Sequence, residues 1–159
     1  MNIYIGKIVS THGIKGELRI ISDFLYKDRV FVVGNDLIID NKNYKIKTYR
    51  KHKNFDMVRL NDYKDINEVL FLLKKKVYFK KENLKLDDDE VLDEDLINYQ
   101  VLTTDGKRGI IKEIFLASKD NKILRIMLDR EILIPINSPM IKKIDKKKQE
   151  LTVELISGI

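Results

Sequence analysis

The segment Ser10-Thr11-His12-Gly13-Ile14-Lys15-Gly16 has the composition of an anion-holding loop. Two glycines permit a sharp turn that exposes backbone amides, Lys15 adds fixed positive charge, and His12 adds charge that switches near neutral pH. A phosphate of folded RNA suits such a loop. An ordinary hairpin, in which the glycines meet only a geometric need, is the alternative. Arg19 lies three residues beyond and joins His12 and Lys15 as a candidate contact to RNA. A second basic run, Arg50-Lys51-His52-Lys53, lies between Tyr49 and Phe55. Cations interleaved with aromatic rings are the composition of an RNA-facing connection, where charge tracks the backbone and rings stack on bases.

Other constellations lead nowhere chemically. Gly13-Ile14-Lys15-Gly16 spells the GXXG of a KH domain, but that loop joins two helices, and strand-like residues flank this one. Asp87-Asp88-Asp89-Glu90 offers the carboxylates of a two-metal nuclease. Consecutive residues in a flexible run do not hold two ions about 4 Å apart with open positions. Ser10 and His12 sit too close in sequence for a serine triad, and no nucleophile elbow surrounds Ser10. No phosphate-loop or dinucleotide fingerprint occurs. With no cysteine and two histidines, neither a thiolate site nor an ordinary zinc site is expected. The sequence therefore predicts a protein that is not an enzyme and requires no metal or cofactor.

The elements that position these residues are mostly strands. Alanine occurs once, at Ala117, against 23 isoleucines, which disfavours helix and favours strand. Strands are predicted over residues 3–9, 17–21, 30–33, 37–40, 44–50, 56–60 and 77–80, and again over 99–103, 109–115, 122–128, 131–136, 141–145 and 150–155. Asn41-Lys42-Asn43 and Thr104-Asp105-Gly106 read as hairpin turns. Pro135 cannot donate to a ladder and belongs on an edge or at a bulge. One short helix is expected near the end of the first domain. Asp65 and Glu68 form its capping box, and Ile66, Val69, Leu70 and Leu73 make its apolar stripe. The expected fold is mainly β, two small β-barrels joined by an acidic linker: a first domain over 1–86, a linker over 87–95 and a second domain over 96–159.

Charge follows the same divisions. Residues 1–86 carry 19 Lys and Arg against 10 Asp and Glu, residues 87–95 carry seven acids and no base, and residues 96–159 carry 12 against 8. The basic excess, +6 overall, points to a polyanionic partner, although compositional drift in a lysine-rich chain gives the same sign. Lys74-Lys75-Lys76 needs only the dipole of the preceding helix. Eleven of the 13 aromatics precede residue 87, so the first domain is the better candidate for RNA and the second for protein. No apolar run approaches the ~20 residues of a membrane span, and the start resembles no signal peptide, so a cytoplasmic protein without membrane attachment is expected.

Gly6-Lys7-Ile8-Val9 followed by Thr11-His12-Gly13-Ile14-Lys15-Gly16-Glu17-Leu18-Arg19 resembles the opening signature of the RimM family of bacterial ribosome maturation factors. Asp65-Ile66-Asn67-Glu68 through Leu73 resembles that family's helix near the end of its first domain. Asp95-Leu96-Ile97, Thr104-Asp105-Gly106 with Gly109, Leu133-Ile134-Pro135 and Ile141-Lys142-Lys143-Ile144-Asp145 resemble its second domain, a PRC-barrel. The resemblance implies a non-catalytic monomer that binds the immature small (30S) ribosomal subunit, contacts 16S rRNA and the nineteenth small-subunit protein in the head, and assists 16S rRNA processing. A generic β-barrel RNA-binding or adaptor module sharing only the PRC-barrel pattern is the alternative. The family's adjacent tyrosines before Asp-Leu-Ile are replaced by Val91-Leu92, and the glycine after it by Asn98. Val91 and Leu92, with Asp95 and Leu96, are the candidate contacts to the ribosomal protein. The same apolar pair would equally serve to cover the edge of the second barrel.

Overall fold

β-Branched and apolar residues turned to one side of successive strands build two cores. A computed structural model of the chain describes residues 1–118 and 121–156. The chain divides into two units, Met1–Lys85 and Leu86–Ile159.

In the first unit, β1 (Asn2–His12), β2 (Glu17–Ile21), β3 (Asp36–Ile39), β4 (Lys42–His52), β5 (Phe55–Leu60) and β6 (Lys76–Lys80) close into a barrel of order β1-β2-β5-β4-β3-β6. Ile5, Ile8, Leu18, Ile20, Leu60 and Phe79 fill it. Gly6 allows close strand approach, because a Cβ there would lie 2.2 Å from the Ile21 carbonyl oxygen. Register shifts on both sides of β1 let this long strand bend around the barrel.

Two expectations within this unit are corrected. Residues 30–33 are not a strand. A four-residue helix, α1 (Lys27–Val30), ends in a turn in which the Phe31 amide donates to the Lys27 carbonyl at 2.9 Å. Val30 and Phe31 are buried, so their apolar character reports burial, which a helical turn satisfies as well as a strand. Lys27 also pairs with the buried Asp56 at 3.0 Å, and the Tyr49 hydroxyl donates to the other Asp56 oxygen at 2.6 Å. Burial pushes the Tyr49 hydroxyl far above its ordinary range, and the Asp56 carboxylate adds to the effect. The single helix over Ile66, Val69, Leu70 and Leu73 is instead two 3₁₀ turns, Ile66–Glu68 and Leu70–Leu72. Three residues per turn put Val69 and Leu72 inward and leave Leu70 exposed. The capping box at Asp65 and Glu68 forms as the sequence predicts.

The second unit holds a short helix, α2 (Asp93–Leu96), and six strands: β7 (Gln100–Thr103), β8 (Arg108–Ser118), β9 (Asn121–Met127), β10 (Glu131–Pro135), β11 (Ile141–Asp145) and β12 (Glu150–Val153). They form one sheet of order β10-β9-β8-β7-β12-β11, with β7 and β12 parallel and the other pairs antiparallel. The sheet wraps a single core containing Val101, Ile111, Leu124, Ile134 and Leu151, while β10 and β11 remain the ends of its hydrogen-bonded order. Pro135 accordingly lies on an edge strand. Residues 87–95, read from the sequence as a linker, fall in this unit. The second unit therefore carries 12 basic and 15 acidic residues, while the first keeps 19 and 10. The expectation of two basic pieces becomes one basic unit and one mildly acidic unit. No helix among the described residues is long and apolar enough to cross a membrane.

Candidate nucleic-acid interface

The first candidate loop is the turn between β1 and β2. Ladder pairing ends at His12 opposite Glu17, leaving Gly13 to Gly16 as a four-residue turn. Gly13 and Gly16 have φ of 67° and 88°, a region that L side chains rarely enter, so the glycines meet a real backbone demand. The turn is held from outside: the Ile66 amide donates to the Ile14 carbonyl at 2.9 Å. Ile66 opens a 3₁₀ turn fixed by its own box, with the Asn67 amide donating to Asp65 at 2.7 Å and the Asp65 amide to Glu68 at 3.1 Å. Ile14, 75% exposed, and Lys15 stand at the tip of a braced loop.

The second basic run is not a loop along its length. β4 continues through His52 and turns at Lys53, whose φ is 56°, before β5 begins. Alternation puts Thr48, Arg50 and His52 on the outer face and Lys51 on the other. Cross-strand register completes that outer face: Met57 pairs with Arg19 on one side and Arg50 on the other, Thr48 pairs with Arg59, and His52 with Phe55. Met57 is fully buried between the two arginines. His12, Lys15, Arg19, Arg50 and His52 thus come onto one side of the barrel. Lys51 and Lys53 are exposed outside this group.

Hydrogen bonds assign these side chains different tasks. Arg19 donates to the Ser10 hydroxyl at 3.2 Å, the Thr11 carbonyl at 2.8 Å and His12 Nδ1 at 2.5 Å, and its guanidinium lies 5.8 Å from the Phe55 ring centroid. Most of its capacity is spent on bracing β1. A guanidinium has no acceptor, so His12 Nδ1 accepts and Nε2–H remains a donor. The His52 ring centroid lies 5.8 Å from that of His12. Arg50 donates to both Glu17 oxygens, at 2.9 and 2.8 Å. These bonds hold the Glu17 carboxyl below its usual range although burial opposes them.

A groove of about 550 Å³ opens among these residues, lined by His12, Lys15, Glu17, Thr48, Arg50 and Arg59 together with the Gly13–Ile14 tip. Sequence reading missed Thr48, Glu17 and Arg59. Their only signal is strand alternation, and it becomes useful once the register across β2, β5 and β4 is known. Arg59 donates to the Tyr63 carbonyl at 3.1 Å, while its Nε is buried without an acceptor. The arrangement offers donors and positive charge around one fixed carboxylate. That combination suits a polyanion. Among the described residues, no three His, Cys, Asp or Glu side chains gather to hold a metal.

In the second unit, Val91 (8% exposed), Leu92 (6%) and Leu96 (1%) are buried, and Val91 and Leu96 belong to the core. Little of their side-chain surface is left open, and Val91 and Leu96 serve to pack the second unit. Asp95 is half-buried. Asp93 pairs with Lys122 of β9, and Lys146, in the turn after β11, donates to the Asp87 carbonyl at 2.8 Å, so both lysines help to hold the acidic run.

Comparison with known proteins decides the family. Residues 3–84 match the RimM N-terminal domain, and residues 88–158 match the PRC-barrel domain. The chain belongs to the RimM family. A relative from Ligilactobacillus salivarius, named ribosome maturation factor RimM, is 36% identical over 100% of this chain and 99% of its own length. One of the same name from Oceanobacillus iheyensis is 33% identical over 98% of this chain and 95% of its own. Likeness to RimM therefore extends through the first unit and is not confined to the PRC-barrel pattern. The replacements seen in the sequence have structural answers. Asn98 takes φ of 75°, the left-handed conformation that asparagine tolerates in place of glycine. Val91, at one position of the tyrosine pair, packs into the PRC-barrel core.

Proposed function

We propose that this RimM-family chain acts in ribosome maturation by binding the immature small (30S) subunit at its head, without catalysing a reaction. The outer face around His12, Lys15, Arg50 and Arg59 contacts 16S rRNA, with Lys51 and Lys53 flanking it. The acidic second unit receives the nineteenth small-subunit protein, whose surface must be basic to live among rRNA phosphates. Val91, Leu92 and Leu96 act in that contact from beneath, by holding α2 and its acids in place. The protein works in the cytoplasm as a monomer. It stabilises one conformation of an unfinished particle, assists processing of the 16S rRNA, and departs when the mature form binds it less well.

The carrying observation is that the two basic motifs, 34 or more residues apart in sequence, meet on one face of a closed barrel. A binding surface explains that convergence. Sedimentation of a cell extract tests it. The chain should travel with free, immature small subunits and be scarce on translating ribosomes. Equal occupancy of both fractions, or absence from small subunits, would overturn it.

A further inference from the structure

Phe71, in the second 3₁₀ turn of the first unit, meets two tyrosines. Its ring centroid lies 6.4 Å from that of Tyr44 and 6.3 Å from that of Tyr63, at interplanar angles of 49° and 86°. Tyr44 is only 6% exposed, so part of the Phe71 ring serves as its cover. Neither contact is a parallel stack, and Phe71 remains 54% exposed beside the equally open Leu70, at 46%. Covering Tyr44 does not account for the open half, since apolar area left in water gains nothing from burial. Charge surrounds the ring. Lys42, Lys64 and Lys74 lie within three residues of Tyr44, Tyr63 and Phe71 respectively, are exposed, and make no ion pair among the described residues. Lys75 is paired with Asp40 at 2.9 Å and Lys47 with Asp62 at 3.5 Å, while Asp65 and Glu68 accept from amides of their own turn. The cluster also adjoins the basic groove. Arg59, on the groove wall, donates to the Tyr63 carbonyl at 3.1 Å, and the Tyr63 ring leads on to Phe71.

Resting on the proposal that the groove binds rRNA, we infer that Phe71 is a stacking platform for one unpaired base of the same strand, whose phosphates pass among Lys42, Lys64 and Lys74. An open ring beside cations that track a backbone is the usual arrangement for holding single-stranded nucleic acid. Every base has a π face, so the platform takes any base and reads no sequence. A protein partner fits less well. A specific protein interface covers about 800 Å² on each side, which two half-open side chains do not approach. The unpaired lysines would also repel a basic ribosomal protein.

Binding of the full chain to a uridine octamer with one central 2-aminopurine tests this, read by anisotropy of an end label and by 2-aminopurine emission. Emission should fall on binding, because stacking quenches that base. Phe71→Leu keeps an apolar cover on Tyr44 and removes the π face. It should weaken binding about tenfold and restore the emission, whereas Phe71→Tyr should stay within about twofold of the parent. The log–log salt slope of Phe71→Leu should equal the parent's, since no cation is removed. Heparin, a polyanion without bases, should bind both alike. Octamer binding by Phe71→Leu as tight as the parent's would overturn the platform while leaving rRNA binding at the groove intact. Equal losses for octamer and heparin, or equal losses in the Leu and Tyr variants, would overturn it too and reduce Phe71 to packing. Lost capture of the head ribosomal protein by Phe71→Leu, with octamer affinity unchanged, would make the ring a protein contact instead. No octamer binding by the parent would overturn the rRNA-facing role of the first unit, and this inference with it.

Discussion

Glu17 and Arg50 form a pair whose stability effect has a definite sign. The folded carboxyl titrates below its ordinary value of 4.5, chiefly because Arg50 hydrogen-bonds the ionised form. Its contribution is therefore complete above that value and is lost as pH falls through the lowered folded one. Glu17→Gln should be less stable than the parent at pH 7, with the gap closing as pH drops below about 4, the range of carboxylate titration. Urea denaturation across that range measures it, and a gap independent of pH would refute the pairing. Val91 gives a second residue-scale test. Val91→Asp places a charge against the second unit's core, which should cost about 3 kcal/mol or more. Loss of ribosomal-protein capture should then accompany loss of stability in the same variant. Lost capture at parental stability would instead make Val91 a direct contact. At this scale the sequence was legible where a residue's task is local. Gly13 and Gly16 announce a turn, and His12 and Lys15 announce its charge. The bracing role of Arg19 was not legible, because its partners Ser10, Thr11 and His12 engage it only when β1 and β2 pair.

Strand elements were nearly all legible, since isoleucine-rich alternating runs have few other uses in a chain with one alanine. Residues 30–33 and 66–73 were not, for a shared reason. Apolar spacing encodes which side chains must be buried, and short turns satisfy that demand with geometries the spacing does not distinguish. The 3₁₀ turn at Ile66–Glu68 matters beyond its size because its first amide holds the Ile14 carbonyl of the β1–β2 turn. Asp65→Ala removes the cap that fixes this element. The expected cost is about 1 kcal/mol in urea unfolding, with faster hydrogen exchange at the Ile66 amide. Unchanged exchange would mean the turn holds the loop without its cap. The groove itself is a product of register. Arg59 reaches it because β5 runs beside β4 with Thr48 opposite, and nothing near Arg59 in the sequence records that pairing.

Over the whole chain, composition gives the net charge but not its partition, and the partition carries the functional consequence. The acidic run reads as a linker because seven acids in nine residues lack local partners. The apolar Val91 among them finds a place in the second core, and Lys122 reaches Asp93 from 29 residues away. With those acids assigned to the second unit, cations exceed acids only in the first. Polyanion binding should therefore separate cleanly between fragments 1–85 and 86–159. The first fragment should retain small-subunit rRNA with a log–log salt slope near −2, the value for about three phosphate contacts at roughly 0.7 each. The second should bind that rRNA weakly at every salt concentration and keep the capture of the head ribosomal protein. Similar, salt-insensitive retention by both fragments would show that the charge partition does not decide which unit meets the RNA. The contact would then have to rest on shape and apolar surface, and the basic face of the barrel would need another explanation.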